Sequence, residues 1–250
     1  MGLFLNKCIC TVCGEPCDFP KYKLKNGDWL CQDCLSDAGL SGNEAKQMLP
    51  SDIKNKMQEN DKKQNIAISM YRYAVTNGYG NGFNETWGIK HFRVIADNLD
   101  ENEKVLMTFI GLKNYESATK HDNYFAFAIT NKRFIMAQKN IISGETIQTV
   151  YLDNINDITF KSGIMFGVLT IDTIKEVFSV GLDKSCAKAI HDKAITIIRD
   201  IKKEKDKPEV QVQTAQISIA DEILKFKQLM DAGIITAYEF EKKKKELLNL

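Results

Sequence analysis

Charge of one sign is missing from this sequence. Across 250 residues, 34 Lys and Arg stand against 33 Asp and Glu, a formal net charge of +1. No bulk field therefore draws in nucleic acid or an anionic membrane surface, so peripheral membrane contact gains no support. A long hydrophobic run is missing too. The longest uncharged apolar stretch, Ile164–Ile171, falls far short of a membrane span. The leading Met1-Gly2-Leu3-Phe4-Leu5-Asn6 lacks the Ser or Thr at position six that myristoylation favours. Its apolar part is also too short for a secretory signal, so the expected location is cytoplasmic. Histidine is scarce: His91, His121 and His191 are scattered, with no metal or nucleophile spacing among them. Each reads as a surface or core histidine. No Gly-rich phosphate loop and no paired-carboxylate motif is present, so no catalytic residue can be named and an enzyme is not expected. Cysteine is nearly absent after position 34; only Cys186 remains. A helix N-terminus there could lower its pKa, but a buried structural thiol is the preferred reading.

What is there begins with the other six cysteines, all within the first 34 residues. Cys10-x-x-Cys13 and Cys31-x-x-Cys34 are separated by 17 residues, a spacing expected of a structural zinc site. Two thiolates three positions apart can meet one cation from a tight turn, and two such pairs complete a tetrahedron of sulfurs. Between the pairs, Lys21-Tyr22-Lys23-Leu24-Lys25 alternates as a half-exposed strand does. Asn26-Gly27 signals a two-residue hairpin turn, and Gly14 suits the tight turn of a knuckle. The spacing thus predicts a knuckle, a hairpin and a second knuckle: a zinc ribbon with structural Zn2+ on Cys10, Cys13, Cys31 and Cys34. A module this small lacks an adequate core of its own, so the metal is expected to hold the fold. A disulfide set would need an oxidising compartment, and a redox Cys-x-x-Cys expects a βαβ context absent here. Cys8 and Cys17 lie close by and could replace a ligand; both are read as spare thiols. Four sulfurs leave no open position for water, which argues against catalysis by the metal.

The next stretch is polar. Asn43–Met48 reads as a short helix stopped before Pro50, and Ser51-Asp52 as the cap of another through about Gln58. Residues 60–65 read as a linker, and periodicity leaves Ile66–Val75 open between strand and helix. Gly78, Gly80 and Gly82 mark a flexible loop in which Tyr79, Phe83 and Trp87 could stack bases or pack on the next domain. Packing is preferred, because no Lys or Arg precedes Lys90 there to hold a phosphate backbone. From His91 the pattern becomes regular. A short helix through Asp97 is followed by seven strands: Lys104–Leu112, Tyr124–Thr130, Arg133–Gln138, Thr146–Leu152, Ile155–Lys161, Met165–Asp172 and Glu176–Val180. Their spacing indicates an antiparallel sandwich or barrel. A closing helix capped by Asp183 carries one apolar stripe, Ala187, Ile190, Ala194, Ile197, Ile198 and Ile201.

Seven strands and a closing helix is the order of pleckstrin-homology folds. Ala128-Ile129-Thr130-Asn131-Lys132-Arg133-Phe134-Ile135 resembles the hairpin of bacterial PH-like domains, and Leu99-Asp100-Glu101-Asn102-Glu103-Lys104-Val105-Leu106 their lead-in segment. The resemblance implies a binding or scaffolding domain. Lys132 and Arg133 could contact a phosphoinositide, although two charges make a weak anion site and a solvated turn is the preferred reading.

Beyond Lys203, alternating charges, Pro208 and a Gln/Val/Thr stretch read as a linker. Two short helices follow, with Ser218 and Asp221 capping the first, Gly233 ending it, and Thr236 with Glu239 capping the second. Ile219, Ile223, Phe226 and Met230 share a face of the first; Phe240, Leu247 and Leu248 are the apolar positions of the second. Lys242–Lys245, flanked by Glu241 and Glu246, reads as a wet helix face. Asp221–Thr236 and Tyr238–Leu248 closely resemble the SHOCT (short C-terminal) domain, with Ala237 where an acidic residue is common. That family is thought to mediate oligomerisation or partner contact. The N-terminal Cys-x-x-Cys-Gly and Cys-x-x-Cys-Leu in turn resemble a short zinc-ribbon family found ahead of PH-like and SHOCT modules in low-GC bacteria and their prophages.

The expected protein is therefore a multidomain α+β chain. It comprises a zinc ribbon over 1–40, a helical and loop connector over 41–90, a PH-like antiparallel β-barrel or sandwich with a C-terminal helix over 91–203, a linker over 204–217 and a SHOCT helical hairpin over 218–250. The expected function is a non-catalytic, zinc-stabilised scaffold that binds protein partners through the PH-like domain and self-associates through residues 218–250. No small-molecule substrate is expected. The alternative is nucleic-acid binding through the ribbon hairpin, with Lys21, Lys23 and Lys25 on one face. Against it, residues 1–60 hold seven Lys/Arg and eight Asp/Glu, where a basic footprint is required.

Overall fold

The computed structural model describes residues 8–80, 83–140, 144–163, 166–206, 219–232 and 235–248. Two compact units divide the chain, Met1–Arg199 and Asp200–Leu250. The first opens with an antiparallel hairpin of β1 (Lys21–Lys23) and β2 (Trp29–Cys31), Lys23 opposite Trp29. Leu24 N–H donates to the Asp28 carbonyl at 2.8 Å and Gly27 N–H to that of Leu24 at 3.0 Å. The connection is thus three residues, Lys25-Asn26-Gly27, not the two that Asn-Gly predicts. Gly27 alone takes the left-handed conformation, at φ 91°. Asn26 instead accepts the Asp28 N–H through its side chain at 3.2 Å. Strand β2 then runs straight into α1 (Gln32–Asp37), so the second cysteine pair sits on a helix start where a second knuckle was expected. A single turn, α2 (Gly42–Ala45), follows a reciprocal Ser41–Glu44 cap.

Helix α3 (Pro50–Thr76) departs most from expectation. Pro50 starts it, since proline's missing N–H costs nothing in the first turn, and the Asp52 carboxylate accepts the Leu49 N–H at 2.9 Å. Residues 60–65, read as a linker, lie in its interior. Glu59 pairs with Lys56 at 3.2 Å and Lys63 at 2.9 Å along the helix. Arg93, on the neighbouring α4 (Glu85–Asp97), donates to Asn60 Oδ1 at 3.0 Å and Gln64 Oε1 at 3.4 Å. Tertiary packing therefore decides a segment whose polarity suggested a break. Helix α4 also begins earlier than expected, because the Asn84 side chain caps it by accepting the Trp87 N–H at 3.0 Å.

The seven expected strands form one antiparallel sheet. They are β3 (Val105–Lys113), β4 (Tyr124–Thr130), β5 (Arg133–Asn140), β6 (Gly144–Tyr151), β7 (Ile155–Ser162), β8 (Phe166–Thr173) and β9 (Val177–Asp183), in the order β6-β5-β4-β3-β9-β8-β7. Alternation sorts the side chains of β4. Phe127 points inward and stacks on Phe109 at 4.8 Å, with Phe134 close by. Ala126 and Ala128 point outward. With Ile110, Ile135 and Ala137 they meet Ala67, Met70 and Ala74 of α3 and Phe92 and Ile95 of α4. Both faces of β3–β5 are thus buried, and small residues on the outer face admit the helix pair closely. Thr108 adds a hydrogen bond from its hydroxyl to the Met70 carbonyl at 2.7 Å. Helix α5 (Lys184–Asp206) covers the inner side, burying Ala187, Ile190, Ala194, Ile197 and Ile198. Gly167 makes this approach possible, since a Cβ there would lie 2.3 Å from that of Ala187.

In the second unit, α6 (Ile219–Asp231) packs with α7 (Ala237–Leu248), and Phe240 is buried between them. The expected cap of α7 is present: Glu239 N–H donates to Thr236 Oγ1 at 3.3 Å while Thr236 N–H donates to Glu239 Oε2 at 2.8 Å. Ser218 and Gly233, and the side chain of Asp221, lie outside the described residues.

Candidate metal centre and neighbouring surfaces

The first cysteine pair is placed by a tight turn. Gly14 N–H donates to the Cys10 carbonyl at 2.9 Å, and Gly14 has φ 81°, which a side chain would resist. Thr11 N–H donates to the Trp29 carbonyl at 3.0 Å, which docks this knuckle onto β2. The second pair is placed by α1: Cys31 caps the helix, accepting the Cys34 N–H on its sulfur at 3.4 Å. The four sulfurs of Cys10, Cys13, Cys31 and Cys34 lie within 4.8 Å of one another. Cys10 to Cys34 and Cys13 to Cys31 are each 3.8 Å, sulfur to sulfur. A tetrahedron with metal–sulfur bonds of about 2.3 Å has edges of about 3.8 Å, so the donor set fits a zinc-sized cation. Only Cys13 of the four is exposed.

The electrostatics are uneven. Burial pushes the Cys10 thiol up, but the backbone N–H groups of Cys13, Cys31 and Val12 outweigh it and bring it down to about 6. Burial pushes Cys31 and Cys34 up. A cation binding here therefore displaces protons. The two spare cysteines stand outside the cluster. Cys17 is buried, and burial followed by the nearby Cys8 thiol pushes it up to about 12.

The remaining candidates are engaged in the fold. Cys186 is buried, its burial pushes the thiol up, and it lies 3.3 Å from the Asp183 carbonyl. This is the structural thiol expected, with no lowered pKa. His91 is buried in α4, Nδ1 at 2.7 Å from the Trp87 carbonyl and its ring 4.0 Å from that of Phe83. His121 accepts the Asn123 N–H at 3.0 Å, and His191 reaches the Ile158 carbonyl at 3.2 Å. The three histidines stay apart. The ring of Phe83 also lies 5.8 Å from that of Tyr124, while the Tyr79 carbonyl accepts the Ile110 N–H at 2.9 Å, so this loop packs on the sheet. On the ribbon hairpin, Lys21 Nζ sits 4.9 Å over the Trp29 ring.

Lys132 and Arg133 are turned to internal partners. Lys132 pairs with Asp100 at 3.2 Å, and Arg133 donates to Glu103 through Nε at 3.0 Å and Nη2 at 2.8 Å and to the Asn98 carbonyl at 2.7 Å. The Glu103 carboxylate is fully buried and also accepts from Thr130 Oγ1 at 2.7 Å and the Asp100 N–H at 2.9 Å. Burial pushes this carboxyl up, but Arg133, the Asp100 N–H and Thr130 outweigh it and hold it at about 2. Sequence reasoning named both segments and missed that they clasp each other. The signal was a lone Arg in one and an acidic run in the other. Beside this clasp, a cleft of about 520 Å³ opens between α3 and β3, with Ile66, Tyr73, Leu99 and Leu106 in its walls. On the tail hairpin, Leu224 and Tyr238 are 59% and 79% exposed, and Leu229 and Leu248 are also exposed. Among the described residues, no helix is long and apolar enough to cross a membrane.

Comparison with known proteins places two domains on the chain. A bacterial PH domain matches residues 99–200, and a SHOCT (short C-terminal) domain matches residues 221–248. Among similar solved structures is a DUF1696 family protein with a pleckstrin-homology domain from Shewanella loihica PV-4, 15% identical over 44% of this chain and 87% of that one, with a TM-score of 0.30. Another is the hSac2 domain of the human phosphoinositide phosphatase Sac2, 12% identical over 47% of this chain and 86% of that one, with a TM-score of 0.33. None of the curated proteins compared matches the chain.

Proposed function

We propose that this chain, which carries a bacterial PH domain and a SHOCT domain, is a non-catalytic adaptor with a zinc-stabilised N-terminal ribbon. The PH-like domain binds a protein partner, and residues 218–250 bring copies of the chain together. The cation is structural Zn2+, held by Cys10, Cys13, Cys31 and Cys34. What supports that assignment is a donor set of four thiols at tetrahedral spacing, with no fifth ligating group in the cluster among the described residues. The role of the cation is to hold the ribbon in shape.

The observation that carries the self-association reading is the apolar surface of the tail. Among the described residues of this hairpin of two short helices, Phe240 is the buried one, while Leu224, Leu229, Tyr238 and Leu248 are exposed. So small a unit gains stability chiefly by covering such surface with a second copy. Deleting residues 218–250 is expected to lower the mass measured by multi-angle light scattering. An unchanged mass removes the tail from this role.

A further inference from the structure

We propose that Cys8 and Cys17 form a redox modification site: a thiol pair that closes reversibly into a disulfide beside the four-cysteine cluster. The backbone places the pair. Ile9 is bridged to Pro16 in antiparallel fashion, and Cys10 N–H donates to the Glu15 carbonyl at 2.8 Å. One step outward in that register, Cys8 faces Cys17, and Cys17 N–H donates to the Cys8 carbonyl at 2.7 Å. Residues that face each other as a hydrogen-bonded antiparallel pair have Cα atoms about 5.5 Å apart and side chains on the same face. Disulfides span Cα separations of about 4.4–6.8 Å, so the backbone already holds this pair at bonding range. The Cys8 thiol lies 3.9 Å from the Cys17 carbonyl oxygen, and its sulfur can turn to its neighbour by side-chain rotation.

Accessibility sets the order of the chemistry. Cys8 is partly exposed and Cys17 is buried. Hydrogen peroxide, the oxidant proposed, meets Cys8 first: the thiol becomes a sulfenic acid and one water leaves. The Cys17 sulfur then attacks the Cys8 sulfur, the S–O bond breaks, the S–S bond forms, and a second water carries away the hydroxyl with the Cys17 proton. Two thiols are oxidised by two electrons and one peroxide is reduced to two waters. The bond staples the chain before Cys10 to the segment after the knuckle. It also withdraws from exchange the two thiols nearest the cluster that are not part of it.

The 250-residue chain, purified in reducing buffer with zinc and then exchanged, is treated with stoichiometric hydrogen peroxide. Free thiols are alkylated with one reagent in denaturant with a chelator, so that neither burial nor metal shields them. After reduction, the remainder are alkylated with a second, and tandem mass spectrometry locates each label. The expected result is the second label on Cys8 and Cys17 and the loss of two of the seven thiols, reversed by dithiothreitol. In Cys17→Ser, a sulfenic-acid probe is expected to mark Cys8, because its partner is gone. The wild-type map does not depend on that variant folding. A first disulfide that joins any of Cys10, Cys13, Cys31 or Cys34, or a Cys8 that proceeds to sulfinic acid while Cys17 stays free, overturns the proposal. Neither outcome depends on whether the four-cysteine cluster holds zinc.

Discussion

Glu103 shows how much one buried side chain can decide. Its carboxylate gathers Arg133, Thr130 and the Asp100 N–H, and so ties the segment ahead of β3 to the β4–β5 turn. Removing one partner of a buried ion pair costs about 3–5 kcal/mol, because the other is left charged without compensation. Glu103→Gln is therefore expected to destabilise the first unit by up to that order in urea unfolding, Arg133 keeping the Asn98 carbonyl and the more distant Asp100. The pH dependence has a definite sign. The folded carboxyl sits at about 2, below an ordinary glutamate's value of about 4.3, so its contribution is present above about 4 and is lost as pH falls towards 2. Wild-type stability should decline through that window and the variant's should decline less. Equal slopes would show that Glu103 is not the group responsible. At this scale the cysteines were the most legible residues, because a donor set announces itself by spacing alone. The clasp was hidden. Glu103 and Arg133 are 30 positions apart, and a lone Arg and an acidic run do not by themselves say that the two meet.

Among the elements, the strands were nearly all readable and α3 was not. Short apolar runs and the turn residues between them place β3–β9 within a few positions, since each strand carries its own signal. Helix α3 has no continuous apolar stripe. Its first half gives Ile53 and Met57 to the ribbon core, and its second half gives Ala67, Met70 and Ala74 to the sheet. Between them the residues are polar, and their partners, Arg93 and Asp97 of α4 and the Asp37 carbonyl, lie far away in sequence. A better clue lay in β4, where Phe125, Ala126, Phe127 and Ala128 are apolar at both parities, the pattern of a strand covered on two faces. Something had to lie over those alanines. Gln64→Pro sits between the two halves and should cost about 3 kcal/mol or more by breaking the helix there. Limited proteolysis near residue 64 is expected to become rapid. Continued resistance would argue that the middle of α3 bears no strain from its neighbours.

For the whole molecule, the stabilities of its parts differ in origin. The large sheet is held by stacked phenylalanines and helix packing, whereas the large buried side chains among the described residues of the ribbon are Leu24, Leu30, Leu35 and Ile53. Chelation at neutral pH should therefore unfold the ribbon while the β signal of residues 105–183 persists in circular dichroism. Zinc affinity should rise with pH, because the raised thiols of Cys31 and Cys34 must lose protons to bind. A chain that holds no zinc after purification in reducing buffer would contradict the assignment of the cluster.

Because ribbon and sheet share the 27 residues of α3, their mutual orientation is phased like the teeth of a gear. One residue inserted near position 62 would swing the four cysteines about 100° around the helix axis and advance them about 1.5 Å. Length changes in this stretch are thus quantised: only additions near whole turns keep the two cores in step.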